Sequence, residues 1–423
     1  MKIGYLHIGP PEHGVCRYGR LLATEAHRRS ELKVIEANVI LSEDRKHNQR
    51  MLIEAAFQLS QADVIHFQFN KFNKLLWGGG WLQLNYLRVF MDNCSCPLVV
   101  TLHDVFYPPY GLTSTLKYLY SKLQKTTFLN KDAKVLPSNE PSQPKRSILT
   151  KAFGFTQSTF QEMFGSDALA LREIANRVNL MLVCTQEEAQ RLCDRVDKRK
   201  LKVVPHFVEA RSIKMSRAEA RAALGLNGVK VVTLLGFIYP PKGHQIMIEA
   251  MPKLPQDITV VFAGSPSVGY KHLVHDFLAL AKAKGVDRRL RITGYLLEEE
   301  LESYLLATDL AVCPFSRFSA SGSISTWISV ARPILASDFP QVAEYNRFEL
   351  DAIKTFQPYT PDALAEAIRH LLPMCRENED STVAKLRQKL SMPAIFDKHL
   401  IQYSNLKSFG KIEKSSISKI LSL

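Results

Sequence analysis

Three absences narrow the class of protein. The sequence contains no run of roughly 18 apolar residues, so it predicts no transmembrane helix. It contains no CxxC pair, and four of its seven cysteines, Cys16, Cys184, Cys313 and Cys375, lie in or beside apolar runs. This pattern predicts buried free thiols and disfavours disulfides and zinc ligands. With no signal peptide evident, we expect a protein of the reducing cytoplasm.

What the chain has in excess is positive charge. The net charge of +14 over 423 residues favours an anionic partner, such as a nucleotide phosphate, a nucleic acid or an acidic membrane face. A solvated basic surface would explain the charge equally well. No nucleic-acid recognition motif is present, which disfavours a nucleic-acid partner.

Apolar runs alternate with helix-like segments along most of the chain. The N-terminal half contains KIGYLHIG, ADVIHFQF, PLVVTLHD, NLMLVCT and LKVVPHF, and the C-terminal half VKVVTLLGF, DITVVFAG, RLRITGY, DLAVCPF, PILASD and KTFQPY. Such runs predict parallel sheets covered by helices on both faces. Because a single core stops growing near roughly 250–300 residues, we predict an α/β fold of two tandem Rossmann-like, doubly wound domains. A cleft between them, beyond the carboxyl ends of the strands, is the expected binding site.

The predicted domains are an N-terminal domain over residues 1–210 and a C-terminal domain over residues 211–395. An insertion at residues 105–178 carries ten Lys and Arg against five Asp and Glu, with aromatic residues interleaved. This mixture would suit a lipid-linked or membrane-proximal ligand or a protein partner. Residues 396–423 are expected to form a helix and a basic tail that packs back on the N-terminal domain. The tail itself, residues 404–423, fits either a basic amphipathic helix at a membrane surface or a frayed terminus.

The first strand ends in a turn with the sequence HIGPPEHGVCRYG. This is not the GxGxxG pattern of dinucleotide-binding proteins. Gly14 would let the backbone approach a ligand, and Arg17 lies in the first turn of a predicted helix whose N-terminus favours an anion. A plain structural turn explains the fragment equally well.

The strand PLVVTLHD ends in His103 and Asp104. A polar pair at the carboxyl end of a buried strand is expected to face the cleft, where His103 could hydrogen-bond a sugar hydroxyl or move a proton. A core histidine is the alternative. His66, in the middle of its strand, is predicted to be structural or to line a wall.

The segment LLGFIYPPKGHQIMIEAM places a strand end at Gly236 and the start of a helix at Lys242. A lysine beside a helix N-terminus is a good ligand for a diphosphate, because it adds a full charge to the partial charge of the helix. A lysine in an ordinary surface loop is the alternative.

A second strand-to-helix turn, FSASGSIS, contains no carboxylate. Ser321, Gly322 and Ser323 could offer backbone N–H groups and hydroxyls to a phosphate, and Arg317 could add a charge. Serine is also an ordinary N-cap residue, and both roles can hold together.

At these residues the sequence resembles the retaining GT-B glycosyltransferases of family 4. The resemblance extends over most of residues 1–403, except the insertion. It rests on the order of the motifs GVCRYGRLLA, VVTLHDV, KVVPHFVE, GFIYPPKGHQIMIEAM, RITGYLLEEELESYLLATDLAVCPF and ARPILASDFPQVAEY.

The resemblance implies a hexosyltransferase-type enzyme. It would transfer a sugar from a UDP- or GDP-linked donor, with retention, to a hydroxyl of a glycan, a lipid-linked molecule or a small molecule. No metal or other cofactor is implied, and the expected location is the cytoplasm, with a peripheral membrane contact as a further expectation.

The resemblance also implies site residues. Lys242 would neutralise the departing diphosphate and His103 would face the donor sugar, while Asp104 would lie on the acceptor side. The implied donor-binding residues are Gly14, Arg17, Gly236, Arg317, Ser321, Gly322, Ser323 and Glu344.

The sequence departs from the family at three positions. The usual pair of glutamates is replaced by Phe318 and Thr326, and the arginine of the phosphate loop by Phe237. Some branches of the family have a Ser-Gly turn in this place, and this chain resembles those branches. The substitutions also leave a second hypothesis open, a catalytically inactive GT-B-like accessory or scaffold subunit.

Overall fold

The computed structural model describes residues 1–11, 13–70, 74–103, 105, 166–211, 213–267, 269–316 and 322–420, with side chains except at residues 74, 166, 167 and 407–420. Most of the predicted insertion lies outside this range, as do the side chains of the predicted tail beyond residue 406. Asp104, Arg317, Phe318 and Ser321 also lie outside the described residues.

The chain forms two compact units. The N-terminal unit comprises Met1–Val204 together with Lys398–Leu423, and the C-terminal unit comprises Pro205–Asp397. The division therefore falls a few residues before the expected boundary at residue 210, and the last segment joins the N-terminal unit from Lys398 rather than from residue 396.

The N-terminal unit is built on one parallel sheet. Its strands are β1 (Lys2–Ile8), β2 (Lys33–Val39), β3 (Val64–Asn70), β4 (Leu98–His103), β5 (Leu180–Val183) and β6 (Leu201–Val203), in the order β2-β1-β3-β4-β5-β6. The helices between them are α1 (Gly14–His27), α2 (Arg45–Leu59), α3 (Lys74–Trp77), α4 (Gly80–Asp92), α5 (Ser166–Arg177) and α6 (Gln186–Leu192). Side chains such as Leu6, Phe67 and Phe90 form the core between sheet and helices.

The C-terminal unit repeats this plan. Its strands are β7 (Lys230–Leu235), β8 (Ile258–Ala263), β9 (Leu290–Ile292), β10 (Leu310–Cys313), β11 (Ile334–Ser337) and β12 (Ile353–Phe356), in the order β12-β11-β10-β7-β8-β9. Its helices are α7 (Arg217–Ala223), α8 (His244–Ala250), α9 (His272–Ala283), α10 (Glu298–Ala307), α11 (Gly322–Ser329), α12 (Pro340–Phe348), α13 (Pro361–Leu371) and α14 (Ser381–Lys389). The final helix, α15 (Met392–Ile420), begins in this unit. The predicted α/β fold with two doubly wound parallel sheets is confirmed.

One strand was not predicted. β2, with the sequence KVIEANV, is the edge strand of its sheet and pairs with β1 from Lys2–Lys33 to Ile8–Val39. Only Ala37 and Val39 of this strand are buried. An edge strand with one face towards solvent needs no continuous apolar run, so the criterion that found the other strands missed it.

Asp309 fastens helix α7 to the second sheet. Its buried carboxylate accepts hydrogen bonds from the Val231 backbone N–H at 2.7 Å, from Arg217 Nη2 at 2.5 Å and from Arg221 Nη1 at 3.2 Å. The contact lies where β7 and β10 begin, so it supports the edge of the sheet opposite the strand ends that carry the candidate site.

All seven cysteines are free thiols. Cys16, Cys184 and Cys313 are buried as predicted, but Cys375 is only partly buried. Its position after α13, in a short turn near the surface, accounts for the difference. In the described part of the chain, no helix has the length and apolar character needed to cross a membrane.

Candidate functional site

The candidate site lies at the topological switch point of the second sheet. From β7 the chain proceeds to β8 and β9 on one side, whereas β10, β11 and β12 occupy the other side. The crevice beyond the carboxyl ends of the two central strands, here β7 and β10, is where open α/β sheets bind ligands. The loops after these two strands supply the site residues.

Gly236 directly follows β7 and makes room for two functional side chains. Its φ of +113° lies in the region that favours glycine. A Cβ atom added there would lie 2.9 Å from Ser323 Oγ and 3.2 Å from Lys242 Nζ. The glycine therefore permits Lys242 and Ser323 to meet above the end of the strand.

The loop that carries Lys242 packs against the backbone after β10. Lys242 ends a short 3-10 turn, Pro240–Lys242, and Gly243 follows with φ +78°. A Cβ atom on Gly243 would lie only 1.8 Å from the carbonyl oxygen of Pro314. The Ser316 N–H donates a 2.9 Å hydrogen bond to the Pro241 carbonyl. These contacts fix the backbone on either side of Lys242.

The ammonium group of Lys242 has a hydroxyl and an aromatic ring as neighbours. It donates a 2.6 Å hydrogen bond to Ser323 Oγ and lies 4.3 Å from the centroid of the Phe315 ring. Burial lowers the pKa of Lys242 to about 8. Among the described residues, none of the charges that influence Lys242 is a carboxylate. A partly buried cation that has no carboxylate partner among the described residues attracts an anionic ligand.

Ser323 lies in the first turn of α11, which begins at Gly322. A Cβ atom added to Gly322 would meet no atom of the described residues within 4 Å. The N-terminal N–H groups of α11 add a partial positive charge next to Lys242. Thr326, which stands where the related family has a glutamate, donates a 2.9 Å hydrogen bond to the Gly322 carbonyl of its own helix.

Two further positions belong to the same edge of the sheet. Glu344 lies half-buried on α12, which follows β11, the neighbour of β10. Phe237, at the position of the family arginine, is exposed immediately after Gly236. The loop after β7 therefore contributes one cation, Lys242, where the family pattern has two.

Sequence reasoning missed two glycines that shape the floor of this site. Besides Gly243, Gly264 follows β8 with φ +155°, and a Cβ atom there would lie 2.2 Å from the Gly236 carbonyl oxygen. Both stand at the end of a strand or loop on the ligand-binding edge. That placement is the signal that could have identified them.

In the N-terminal unit, Gly14 and Arg17 lie at the start of α1. The His13 Nδ1 atom accepts a 3.2 Å hydrogen bond from the Val15 N–H and caps the helix. A Cβ atom on Gly14 would meet no described atom within 4 Å, so packing against the described residues does not require a glycine there. Arg17, in the first turn of α1, has an exposed side chain.

His103 is the last residue of β4 and is partly buried. Its Nε2 atom lies 2.9 Å from Gln68 Oε1, and the Tyr18 ring packs edge-on against it at a centroid distance of 5.0 Å. His66 is completely buried in the middle of β3. The chain's own side chains thus hold His103 at the end of its strand.

The described residues contain no group of three His, Cys, Asp or Glu side chains arranged to hold a metal ion. The charged and polar groups at the switch point are instead those of an anion site: an ammonium, a hydroxyl and the N–H groups of a helix start.

The C-terminal unit is similar in sequence to known proteins. Residues 229–373, which include β7, Lys242, α11 and Glu344, match the family described as Glycosyl transferases group 1. A D-inositol 3-phosphate glycosyltransferase of Mycobacterium sp. (strain KMS) is 31% identical over 151 residues, 35% of this chain and 34% of that protein. An alpha-D-kanosaminyltransferase of Streptomyces kanamyceticus is 30% identical over 188 residues, 43% of this chain and 47% of that protein. The chain thus matches about a third to a half of the length of these relatives.

Solved structures extend the similarity to nearly the whole fold. Anabaena HepE in complex with UDP-glucose superposes with a TM-score of 0.63, at 14% identity, over 96% of this chain and 100% of that one. Sucrose-phosphate synthase from Thermosynechococcus elongatus gives a TM-score of 0.62, at 15% identity, over 96% of this chain and 99% of that one. The protein therefore has the two-domain GT-B fold, and residues 229–373 of its C-terminal unit are similar to the glycosyl transferases group 1 family.

Proposed function

We propose that this protein is a glycosyltransferase that moves a hexosyl group from a nucleotide diphosphate sugar to an acceptor hydroxyl, with retention at the anomeric carbon. One observation carries the proposal: the Lys242 ammonium, with no carboxylate partner among the described residues, is held 2.6 Å from Ser323 at the start of α11, at the switch point of a GT-B fold. This arrangement has the charge and the hydrogen-bond donors that a diphosphate requires.

The reaction we propose is a front-face displacement. The acceptor oxygen attacks the anomeric carbon on the face from which the nucleotide departs. The bond between that carbon and the β-phosphate oxygen breaks, and its electron pair stays on the phosphate. The same phosphate oxygen then takes the proton from the attacking hydroxyl. Lys242 and the N-terminus of α11 would stabilise the charge that develops on the diphosphate, which is usually the largest single contribution to catalysis.

The other site residues have subordinate roles in this proposal. Ser323 and Gly322 would donate hydrogen bonds to phosphate oxygens, and His103 is the candidate in the N-terminal unit for a hydrogen bond to a sugar hydroxyl. Because the charge stabilisation comes from an ammonium and a helix end, we propose that the reaction needs neither metal nor cofactor.

The comparisons guide the choice of substrates to test first. HepE was solved with UDP-glucose, which supports UDP before GDP as the donor nucleotide. One relative is named as a D-inositol 3-phosphate glycosyltransferase, which supports a small hydroxylated acceptor alongside a glycan or a lipid-linked one.

We further propose a cytoplasmic location with peripheral membrane contact. The seven free thiols suit a reducing compartment, and the net charge of +14 favours anionic surfaces. Sedimentation with vesicles of anionic lipid at low salt tests the contact: the protein should pellet with them, and its absence from the pellet would contradict the membrane proposal.

Release of the nucleoside diphosphate tests the enzymatic proposal. The protein is incubated with UDP-glucose, UDP-galactose, GDP-mannose and ADP-glucose, with water or a panel of polyols as acceptor, and the configuration of any product is read by NMR. Lys242→Ala should lower the rate by about 10²–10³. Lys253→Ala is the control, because Lys253 is an exposed lysine of the same unit that pairs with Asp362. The absence of release from every donor would favour the accessory-subunit alternative that Thr326 and Phe237 raise.

A further inference from the structure

A tyrosine at the edge of the second sheet reaches the loop that supports Lys242. Tyr359 follows β12, the edge strand, and β11 lies between β12 and β10. The Tyr359 hydroxyl donates a 2.9 Å hydrogen bond to the carbonyl oxygen of Pro314, the first residue after β10. This contact ties the loop after β12 to the loop after β10, across the strand that separates them.

The chain holds Tyr359 in place as a donor. Its ring stacks on that of Phe356, a buried residue of β12, with a centroid distance of 6.1 Å and an angle of 25° between the rings. The next residue, Thr360, caps α13, where its hydroxyl accepts a 3.2 Å hydrogen bond from the Ala363 N–H. Burial raises the pKa of Tyr359 to about 12. The hydroxyl therefore keeps its proton, and donates it, at neutral and mildly alkaline pH.

Pro314 is the point at which the two loops of the site touch. The residue is buried, and a Cβ atom on Gly243 would lie only 1.8 Å from its carbonyl oxygen, so the loop that carries Lys242 lies directly against it. The next residue, Phe315, has the centroid of its ring 4.3 Å from the Lys242 ammonium. A shift of Pro314 would therefore move both the ring beside Lys242 and the backbone that supports this lysine.

We propose that Tyr359 is a positioning residue of the anion site: its hydroxyl fixes the Pro314 carbonyl and thereby holds Phe315 against the Lys242 ammonium. Its importance for catalysis rests on the proposed function, in which Lys242 stabilises the departing diphosphate. An ammonium that is already held in place meets the developing charge without rearrangement, which is the condition for electrostatic catalysis of this kind. Tyr359 acts through Pro314 and Phe315 and makes no contact of its own with the diphosphate.

Removal of the Tyr359 hydroxyl should change the surroundings of Lys242. In Tyr359→Phe the buried Pro314 carbonyl loses this donor, and a buried acceptor without a partner favours a rearrangement that lets water reach it. The Phe315 ring then moves away from the ammonium, and water takes its place. Because burial is what lowers the pKa of Lys242 to about 8, better hydration should raise that pKa towards its ordinary value.

Titration of the protein labelled with carbon-13 at the lysine ε-carbons tests the inference without any ligand. The Lys242 signal is identified by its absence from a Lys242→Arg sample. Wild type should titrate near pH 8, and Tyr359→Phe about one pH unit higher. Replacement of Tyr359 by p-aminophenylalanine keeps an N–H donor at the same place and should restore the wild-type pKa.

The matched control is Tyr304→Phe. Tyr304 is a partly buried tyrosine of α10 in the same unit, and it packs against the small core cluster that includes Val231 and Val261. Its loss of a hydroxyl should leave the pKa of Lys242 at the wild-type value. Denaturant unfolding of each variant verifies that it is folded under the conditions of the titration.

Three results would overturn the inference. The first is a Tyr359→Phe protein in which Lys242 titrates as in wild type, and the second is a p-aminophenylalanine protein that titrates like Tyr359→Phe. The third needs no variant: the ε-protons of Lys242 in wild type should resonate upfield because the Phe315 ring lies beside them, and an unshifted signal would show that the ring is not held there.

Turnover separates this inference from the proposed function. With UDP-glucose hydrolysis as the readout at pH 7, where Lys242 is charged in both proteins, Tyr359→Phe should lower kcat by up to about 100-fold and leave KM near the wild-type value. If the pKa shifts but wild type neither binds nor hydrolyses UDP-glucose, the positioning role stands and the proposed function with this donor fails. If wild type turns over the donor and Tyr359→Phe matches it in kcat and in the pKa of Lys242, only the positioning role fails.

Discussion

The Lys242 ammonium donates a 2.6 Å hydrogen bond to the hydroxyl of Ser323, a residue 81 positions away in the chain. The two meet because β7 and β10 are neighbours at the switch point and the loops after them share the same edge of the sheet. Gly236 leaves the space that both side chains occupy. This contact joins the loop after β7 to the start of α11, the two segments that form the proposed diphosphate site.

Two serines of α11 should therefore respond differently to substitution. Ser323→Ala removes the hydroxyl beside Lys242, so it should weaken binding of the donor nucleotide, by roughly 0.5–1.5 kcal/mol for one hydrogen bond. Ser325→Ala removes a buried 3.1 Å hydrogen bond to the Phe207 carbonyl and should instead lower the free energy of unfolding by about 1 kcal/mol. Calorimetric titration and denaturant unfolding of both variants separate these effects. Equal nucleotide affinities in the two variants would contradict the role given to Ser323.

Gly243→Ala should destabilise the C-terminal unit. The added Cβ would lie 1.8 Å from the Pro314 carbonyl oxygen, and φ is +78°. The backbone conformation alone costs a non-glycine residue about 1–3 kcal/mol, and the clash adds to it. Denaturant unfolding should show this loss, and a variant as stable as wild type would mean that the loop is not held as described.

Gly14→Ala offers the opposite case in the N-terminal unit. No described atom lies within 4 Å of the added Cβ and Gly14 does not have a positive φ, so stability should hold. If a ligand approaches this backbone, turnover should nevertheless fall. Unchanged turnover in a folded Gly14→Ala protein would remove Gly14 from the site.

Nucleotide affinity should depend on pH through Lys242. The pKa of Lys242 in the free protein is about 8, and a bound diphosphate would raise it by favouring the charged form. Binding then takes up a proton above pH 8, so affinity should be constant below that pH and fall as pH rises through it, by at most about tenfold per unit. Titrations from about pH 7 to pH 9.5 keep the nucleotide phosphates ionised. In Lys242→Ala this dependence should vanish; a wild-type profile flat to pH 9.5 would show that Lys242 is not the group involved.

The fold could be read from the sequence largely because most of its strands are buried on both faces. Continuous apolar runs marked β1, β3, β4 and the C-terminal strands, whereas β2 lacked such a run because it lies at the edge of its sheet. Gly236 and Lys242 could be proposed as ligand-binding residues from their place after a strand. The contact between Lys242 and Ser323 beside Gly236 could not be predicted, because it depends on β7 and β10 becoming neighbours in the sheet.

The buried side-chain contacts behind His103 had no local signal in the sequence. His66 and Tyr403 are 337 residues apart, and the sequence around Tyr403 marks only a helix expected to pack on the N-terminal domain. Gln68 on β3 lies beside His103 on β4 because the two strands are neighbours in the sheet. Such contacts depend on tertiary packing, so sequence periodicity does not reveal them.

The Asp309 cluster should contribute to stability without affecting ligand binding. Asp309→Asn leaves the guanidinium groups of Arg217 and Arg221 without their buried carboxylate, and breaking such a pair costs about 3–5 kcal/mol. Denaturant unfolding should show this loss. Asp257→Asn, an exposed carboxylate just before β8, should change stability by less than about 0.5 kcal/mol. Nucleotide affinity should be retained in both, since these residues lie at the edge of the sheet away from Lys242.

The most direct test of a nucleotide diphosphate site at Lys242 is thermal unfolding in the presence of UDP, GDP or ADP, for wild type, Lys242→Ala and Lys253→Ala. A nucleotide at about 100 times its dissociation constant should stabilise the protein by roughly 2.7 kcal/mol, a clear rise in the unfolding midpoint. The account predicts such a rise with one nucleotide for wild type and Lys253→Ala, and its loss in Lys242→Ala. No rise with any nucleotide, or an equal rise in Lys242→Ala, would contradict it.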